Sequence, residues 1–306
     1  MTTLVFGHKS PDTDSTGSPI IWAWYLNQIK GVEAEAVLLG DPNTEAKFML
    51  EKWGLTMPRV LGKLEDGASV VIVDTNNPAE LPDNINDADI TQIIDHHKLV
   101  GGLETKGPIE IRIEPLACTA TIMWKMIGKD LAQMPTEIKG AMLSCILSDT
   151  LEFRSPTTTN EDKAIAWDLA QDLGVDISDY AAEMFAAKSD VSAFSEAELL
   201  RMDSKEYEVG GKQFRVSVLE TTSPKQVLDR KEALMAAMPG VADEDNADQV
   251  LLFVVDILNE EATLLVPNDL VKSVAENSFG ADVSGDTVVL PGIMSRKKQI
   301  IPNLKV

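Results

Sequence analysis

The chain has 306 residues, 44% hydrophobic and 25% charged, a globular composition at a length where one core usually gives way to two domains. With 27 Lys plus Arg against 49 Asp plus Glu, its formal charge of -22 repels a polyanion and argues against nucleic acid as a partner, although a small anion is admitted where cations cluster. The longest apolar stretches, such as 250–258, are strand-sized and the opening Met-Thr-Thr-Leu-Val carries no basic leader, so neither a membrane span nor a secretion signal is expected.

The first half alternates short apolar runs with helix-period segments, at 2–6, 19–30, 34–39, 44–53, 70–73 and 90–94. That alternation predicts an α/β fold, a parallel sheet with helices on both faces. Helical stretches follow over 120–128, 136–147 and 161–173, the last closed by Gly174 as a C-cap. Cys118 and Cys145 lack C-x-x-C spacing and read as core residues in a reducing, cytoplasmic setting. The pattern then changes, giving expected boundaries of 1–187 for the first domain, 188–195 for a linker and 196–306 for a smaller mixed α/β domain. In that second domain, strand-like runs at 206–209, 213–219, 250–258 and 262–266 accompany a helix over 224–238, and Asp243-Glu244-Asp245 reads as a solvated loop.

Four segments put ligand-type side chains directly after predicted elements: His8, Asp12 and Asp14 after the first strand, Asp74 after 69–73, Asp95-His96-His97 after 91–94, and Asp149 after the helical stretch 142–148. In open α/β sheets ligands sit outside the carboxyl ends of the strands, where residues far apart in sequence converge. The chain has 3 histidines, and every one lies in these segments. Imidazole together with carboxylate suits manganese or cobalt better than magnesium. Two such ions roughly 3.5 to 4 Å apart can share a carboxylate and a water whose pKa falls from about 15.7 towards 7.

Taken singly, several of these residues have plainer readings. Asp12 and Asp14 can cap a helix beginning near Ser18, Asp74 can be a turn residue before Asn76-Asn77-Pro78, and Asp149 can end a helix. Adjacent His96 and His97 after a buried-type strand have no comparable packing role. Ser295-Arg296-Lys297-Lys298-Gln299 is a basic run in an acidic chain, either a solvated face or a set of cations for phosphoryl oxygens. Spacing does not single out Lys205.

Together, Gly7-His8-x-x-x-Asp12-x-Asp14, Asp74, Asp95-His96-His97, Ser148-Asp149-Thr150 and Ser295-Arg296-Lys297-Lys298-Gln299 resemble the family II inorganic pyrophosphatases of the DHH phosphoesterase superfamily, over nearly the whole chain. The first four motifs are shared in outline across that superfamily, and the last points to its pyrophosphatases. The resemblance implies hydrolysis of pyrophosphate to two phosphates by a hydroxide bridging two Mn2+ ions, for which Co2+ can substitute, with Mg2+ accompanying the substrate. It implies that His8, Asp12 and Asp74 hold one ion and Asp14, Asp74, His96 and Asp149 the other, so that Asp74 bridges them. Asp95 would orient a neighbouring histidine, and His97 would meet the substrate as a hydrogen-bond donor and general acid. Lys205, Arg296 and Lys297 would grip the phosphates, the active site lying between the two domains of a homodimer's subunit.

Two features depart from the family pattern. Thr75 stands where many relatives carry a histidine after the bridging aspartate, and the interval from Asp74 to Asp149 has no room for inserted CBS modules, so regulation by adenine nucleotides through them is not expected. A rival reading is another DHH phosphoesterase, acting on oligonucleotides, cyclic dinucleotides or short polyphosphates. The absence of a Gly-Gly-Gly-His element and of any histidine after His97 counts against its nucleotide-hydrolysing members. A second rival is a non-catalytic binding module on the same fold.

Overall fold

The computed structural model describes residues 2–306, and the chain divides into two compact units, one ending at Lys188 and the other running from Ser189 to Val306. The first unit contains, in order, β1 (Thr3–Phe6), α1 (Thr13–Tyr25), β2 (Ala34–Ala36), α2 (Thr44–Lys52), β3 (Ser69–Val73), β4 (Asp89–Asp95) and β5 (Glu110–Ile113). Four helices follow: α3 (Thr119–Ile127), α4 (Thr136–Thr150), α5 (Asn160–Leu173) and α6 (Ile177–Lys188). The strands form one all-parallel sheet in the order β2-β1-β3-β4-β5.

The apolar run Ser-Val-Val-Ile-Val of β3 is central and buried from Val70 onward, as expected for a parallel strand covered on both faces. Phe6, Val70, Ile72, Ile90 and Ile93 share one core cluster with Leu81 and Ile85. Helix α1 packs against α3 and α4. Its approach to α4 is so close that a Cβ on Gly17 would lie 2.3 Å from the Cys145 sulfur. Both cysteines are free and buried.

In the first unit, two of the expected elements differ in extent. Helix α1 begins at Thr13 rather than near Ser18, because Asp12 caps it by accepting the Ser15 backbone N–H, and Pro19 is accommodated inside the helix. The strand expected over 34–39 shortens to β2, after which Leu38 makes only an isolated bridge to Val60.

The second unit contains α7 (Glu196–Arg201), β6 (Ser204–Val209), β7 (Lys212–Thr221), α8 (Pro224–Leu228), α9 (Lys231–Glu244), β8 (Gln249–Asp256), β9 (Glu261–Leu265), α10 (Asp269–Phe279) and β10 (Thr287–Pro291). Its sheet is mixed, in the order β10-β9-β8-β7-β6, with only β7 and β8 parallel. Every residue of β8 is buried, and its side chains alternate between two cores. Leu251, Phe253 and Val255 pack with Val271, Val274 and Ala275 of α10. Val250, Leu252 and Val254 pack with Leu199 and Leu200 of α7 and Leu234, Met238 and Val241 of α9. The α/β class expected from the sequence is therefore the observed one, a parallel-sheet domain followed by a smaller mixed domain. Asp243-Glu244-Asp245 is not a solvated loop: it closes α9, and Asp245 pairs with Arg201 and Arg215.

Candidate metal centre

After β1 the chain passes close against the first turn of α1, and Gly7 permits it: a Cβ there would lie 1.9 Å from Ser15 Oγ. That hydroxyl accepts the His8 backbone N–H at 2.7 Å, which fixes the start of the loop. Asp12 uses Oδ1 to cap the helix and leaves Oδ2 at 3.7 Å from His8 Nε2. Capping and a site role therefore coexist in this residue. Asp14, inside the first turn, accepts from Ser18 Oγ at 2.6 Å and from the Thr119 N–H at 2.8 Å. The latter is the opening residue of α3, whose positive N-terminal end thus faces a carboxylate.

Asp74 follows β3 with φ 58°, a left-handed conformation that Asp tolerates better than most residues. Its N–H still bonds Ile94 O at 2.9 Å, so the sheet holds it while the turn directs its side chain. The carboxyl is 2% exposed and faces two ways: Oδ2 is 3.6 Å from His8 Nε2, and Oδ1 is 3.4 Å from His96 Nε2. Thr119 Oγ1 donates to Oδ1 at 3.3 Å.

Strand β4 ends on Asp95, which is fully buried. Its Oδ1 accepts the His97 backbone N–H at 3.0 Å and stands 2.9 Å from His97 Nδ1, and its Oδ2 accepts from Asn76 at 2.5 Å. His96 has Nδ1 at 3.2 Å from Leu116 O, which assigns the proton to Nδ1 and leaves Nε2 as the ligand atom. Asp149 lies in the last turn of α4, with Oδ2 buried and without a hydrogen-bond partner in the protein.

These side chains gather into groups whose ligand atoms all lie within 4.8 Å of one another: His8 with Asp12 and Asp74, Asp14 with His96 and Asp149, and Asp74 with His96 and His97. All six residues expected as metal ligands are thus neighbours, with Asp74 between the first two groups. His97 is exposed and its Nδ1 is engaged by Asp95.

The electrostatics follow from crowding. Burial pushes the Asp74 carboxyl well above its ordinary value, and the charges of Asp14, Asp12, Asp149 and Asp95 push the same way. Burial does the same to Asp149, reinforced by Asp14 and Asp12. Asp12 is different: burial raises it, but the His8 and Ser15 hydrogen bonds and the charges of His8 and Lys188 outweigh that and hold it low. Burial lowers His8, yet its hydrogen bond and charge interaction with Asp12 raise it overall. The hydrogen bond to Asp95 holds His97 above its ordinary range. Among the described residues no lysine or arginine lies within ion-pair distance of Asp14, Asp74 or Asp149. Several buried carboxylates facing imidazoles, with no resident cation, fit divalent ions, and the mixed nitrogen and oxygen donors suit manganese or cobalt.

Three residues not expected as site contributors support these groups: Thr119, Asn76, which the sequence offers only as a turn residue, and Thr75, noted there only as a departure from the family pattern. Asn76 holds Asp95 and also bonds the Lys98 and Val100 backbone. Thr75 donates to Glu80 at 2.6 Å, and the Glu80 charge acts on both His8 and His97. Asn76 and Thr75 directly follow Asp74, the one available signal.

In the second unit, Lys205 on β6 and Arg296 and Lys297 after β10 line one pocket of about 530 Å³ with Asp203, Tyr207 and Ser295. Arg296 donates to Asp203 O and Oδ1, both at 2.7 Å, so its guanidinium is oriented by that residue. Ser295 caps the short turn that carries the basic run by accepting the Lys298 N–H.

The model of the DHH family N-terminal domain matches residues 2–148, and that of the DHHA2 domain matches residues 182–306. A Deinococcus radiodurans protein named as a probable manganese-dependent inorganic pyrophosphatase is 42% identical, over 98% of this chain and 97% of its own. A Lactobacillus acidophilus protein of the same name is 38% identical over the same shares. Among solved structures, a Methanococcus jannaschii protein assigned to the family II inorganic pyrophosphatases superposes with a TM-score of 0.63 at 32% identity, covering 99% of this chain and 98% of that one. Identity at this level across both units, joined to the geometry of the carboxylate and histidine cluster, places the chain in the family II, manganese-dependent inorganic pyrophosphatases of the DHH superfamily.

Proposed function

We propose that the protein hydrolyses inorganic pyrophosphate to two phosphates at a centre of two divalent ions, Mn2+ by preference with Co2+ as a substitute. The observation that carries this reading is Asp74, whose two carboxyl oxygens face different histidines, as a bridging ligand requires. His8, Asp12 and Asp74 would hold one ion, and Asp14, Asp74, His96 and Asp149 the other. Bound there, the pair would supply Lewis-acid chemistry, lowering the pKa of an attacking water and neutralising phosphoryl oxygens.

The remaining steps belong to the protein's own groups. Asp95 accepts from His97 Nδ1 and so turns Nε2 towards the substrate, where it donates to a phosphoryl oxygen and can pass a proton to the leaving phosphate. Lys205, Arg296 and Lys297 bind the phosphates of the magnesium complex and offset the charge that builds in the transition state. Arg296 is suited to this because Asp203 already orients its planar fork. A homodimer in the cytoplasm completes the reading.

A panel of substrates offered to purified, Mn2+-loaded protein tests it. Phosphate release from pyrophosphate should far exceed release from nucleoside triphosphates, polyphosphates or phosphodiesters, because a clamp for small charged groups gives a nucleoside little purchase. Faster turnover of dinucleotides or of polyphosphate than of pyrophosphate contradicts the assignment.

A further inference from the structure

Glu45 lies in the first turn of α2 and is 0% exposed. An acidic residue in a first turn is commonly explained by the helix dipole, but that needs no burial, and Asn43 already caps this helix by accepting the Ala46 N–H at 2.8 Å. A buried carboxylate is costly unless donors surround it. Here one oxygen, Oε2, takes Thr13 Oγ1 at 2.8 Å and Ser148 Oγ at 2.7 Å, with Lys188 Nζ at 3.3 Å. These donors are not scattered. Thr13 stands between Asp12 and Asp14, and Ser148 precedes Asp149.

We propose that Glu45 is a positioning residue of the metal centre, its buried carboxylate tying the Asp12–Asp14 turn to the end of α4 so that ligands from the two elements keep their relative placement. The inference rests on the reading of those aspartates as metal ligands. Lys188, at the end of α6, supplies the compensating charge, and that charge acts on Asp12 as well. Partners of this kind, which hold ligands without touching the ion, set metal affinity by fixing ligand orientation.

The test compares the wild type with Thr13→Val, Ser148→Ala, Glu45→Gln and the Glu45→Gln/Ser148→Ala pair, reading Mn2+ affinity by calorimetry and the electron paramagnetic resonance spectrum of the loaded chain. Thr13→Val and Ser148→Ala keep every charge and every ligand, so any change in them reports placement alone. Each should lose about 10- to 100-fold in Mn2+ affinity with an altered spectrum, and the paired variant should fall no further than Glu45→Gln alone. Wild-type affinity and spectra in Thr13→Val and Ser148→Ala overturn the brace, whether or not Glu45→Gln folds. Strict additivity in the pair does so too. A wild type that takes up no Mn2+ overturns the metal reading itself, whereas normal uptake with unaffected variants overturns only the brace.

Discussion

Asp74 and Gly7 illustrate how much of the site depends on single residues at strand ends. Asp74 occupies the left-handed region at φ 58°, and its backbone N–H stays in the sheet while its carboxyl leaves it. Gly7 has no room for a side chain, since the atom in the way, Ser15 Oγ, is the one that accepts the His8 N–H. Gly7→Ala forces that hydroxyl aside and strands the amide, so it should cost about 1 to 3 kcal/mol of stability and weaken metal binding through His8. Urea unfolding with calorimetric Mn2+ titration checks this; an unchanged midpoint and affinity would show that the contact is dispensable. At this scale the histidines were legible because the chain has so few, and the aspartates because they follow apolar runs. Thr119 and Asn76 were not, because Ser, Thr and Asn bond backbone in caps and turns throughout any protein, and nothing local says which of them reaches a carboxylate 45 or 19 residues away.

Between elements, the same physics sets where side chains point. Parallel strands β1, β3 and β4 end on one side of the sheet, and the N-termini of α1 and α3 meet there, which brings Asp14 to the Thr119 N–H. The alternation of apolar runs is enough to predict this architecture but not where α1 starts: Asp12, one of the two capping candidates, is the cap, and the helix runs from Thr13 through Pro19 instead of beginning near Ser18. Strand β5 leaves no apolar run in the sequence because it is a short edge strand with three of its four residues exposed. Helix α6 is legible in retrospect, since Ile177, Tyr180, Ala181, Met184 and Phe185 stand at helical spacing and are buried. The acidic end of α9 does not show its role in the sequence because its partners are remote: Arg215 Nε stands 2.5 Å and Arg201 Nε 3.2 Å from Asp245 Oδ2. Burial raises the Asp245 carboxyl, but the Arg201 hydrogen bond and the charges of both arginines outweigh it and hold it below its ordinary value. The folded state thus binds that proton less tightly than the unfolded chain, so the stabilisation is complete above about pH 4 and fades as pH falls through the lower folded value. Asp245→Asn should therefore cost about 1 to 3 kcal/mol at neutral pH, with the gap to wild type closing below about pH 4. Denaturant curves across pH 3 to 7 measure it, and a gap that stays constant over that range would contradict the assignment.

Across the whole molecule, two units with separate cores hold different candidate groups. All six candidate metal ligands lie in the first, and the cations that would hold phosphate lie in the second. The basic run could be read either way from sequence, because charge alone does not distinguish a solvated face from a pocket wall. Its shared pocket with Lys205 depends on the pairing of β6 with β7 and on the turn after β10. If these residues serve as proposed, Arg296→Lys and Lys297→Ala should leave the chain folded with unchanged Mn2+ content while lowering kcat, raising KM, or both. The expected loss is on the order of 10² to 10³ in kcat. Steady-state kinetics on pyrophosphate decide it, and wild-type values in both variants would make the run a surface feature. Whether one carboxylate serves two ions is decided by counting Mn2+ per chain in the wild type and in Asp74→Asn, whose side chain tolerates the same left-handed backbone. Two ions are expected in the wild type and loss of tight binding at both positions in the variant, with turnover of pyrophosphate collapsing alongside; two tightly held ions and normal turnover in Asp74→Asn would contradict a shared ligand.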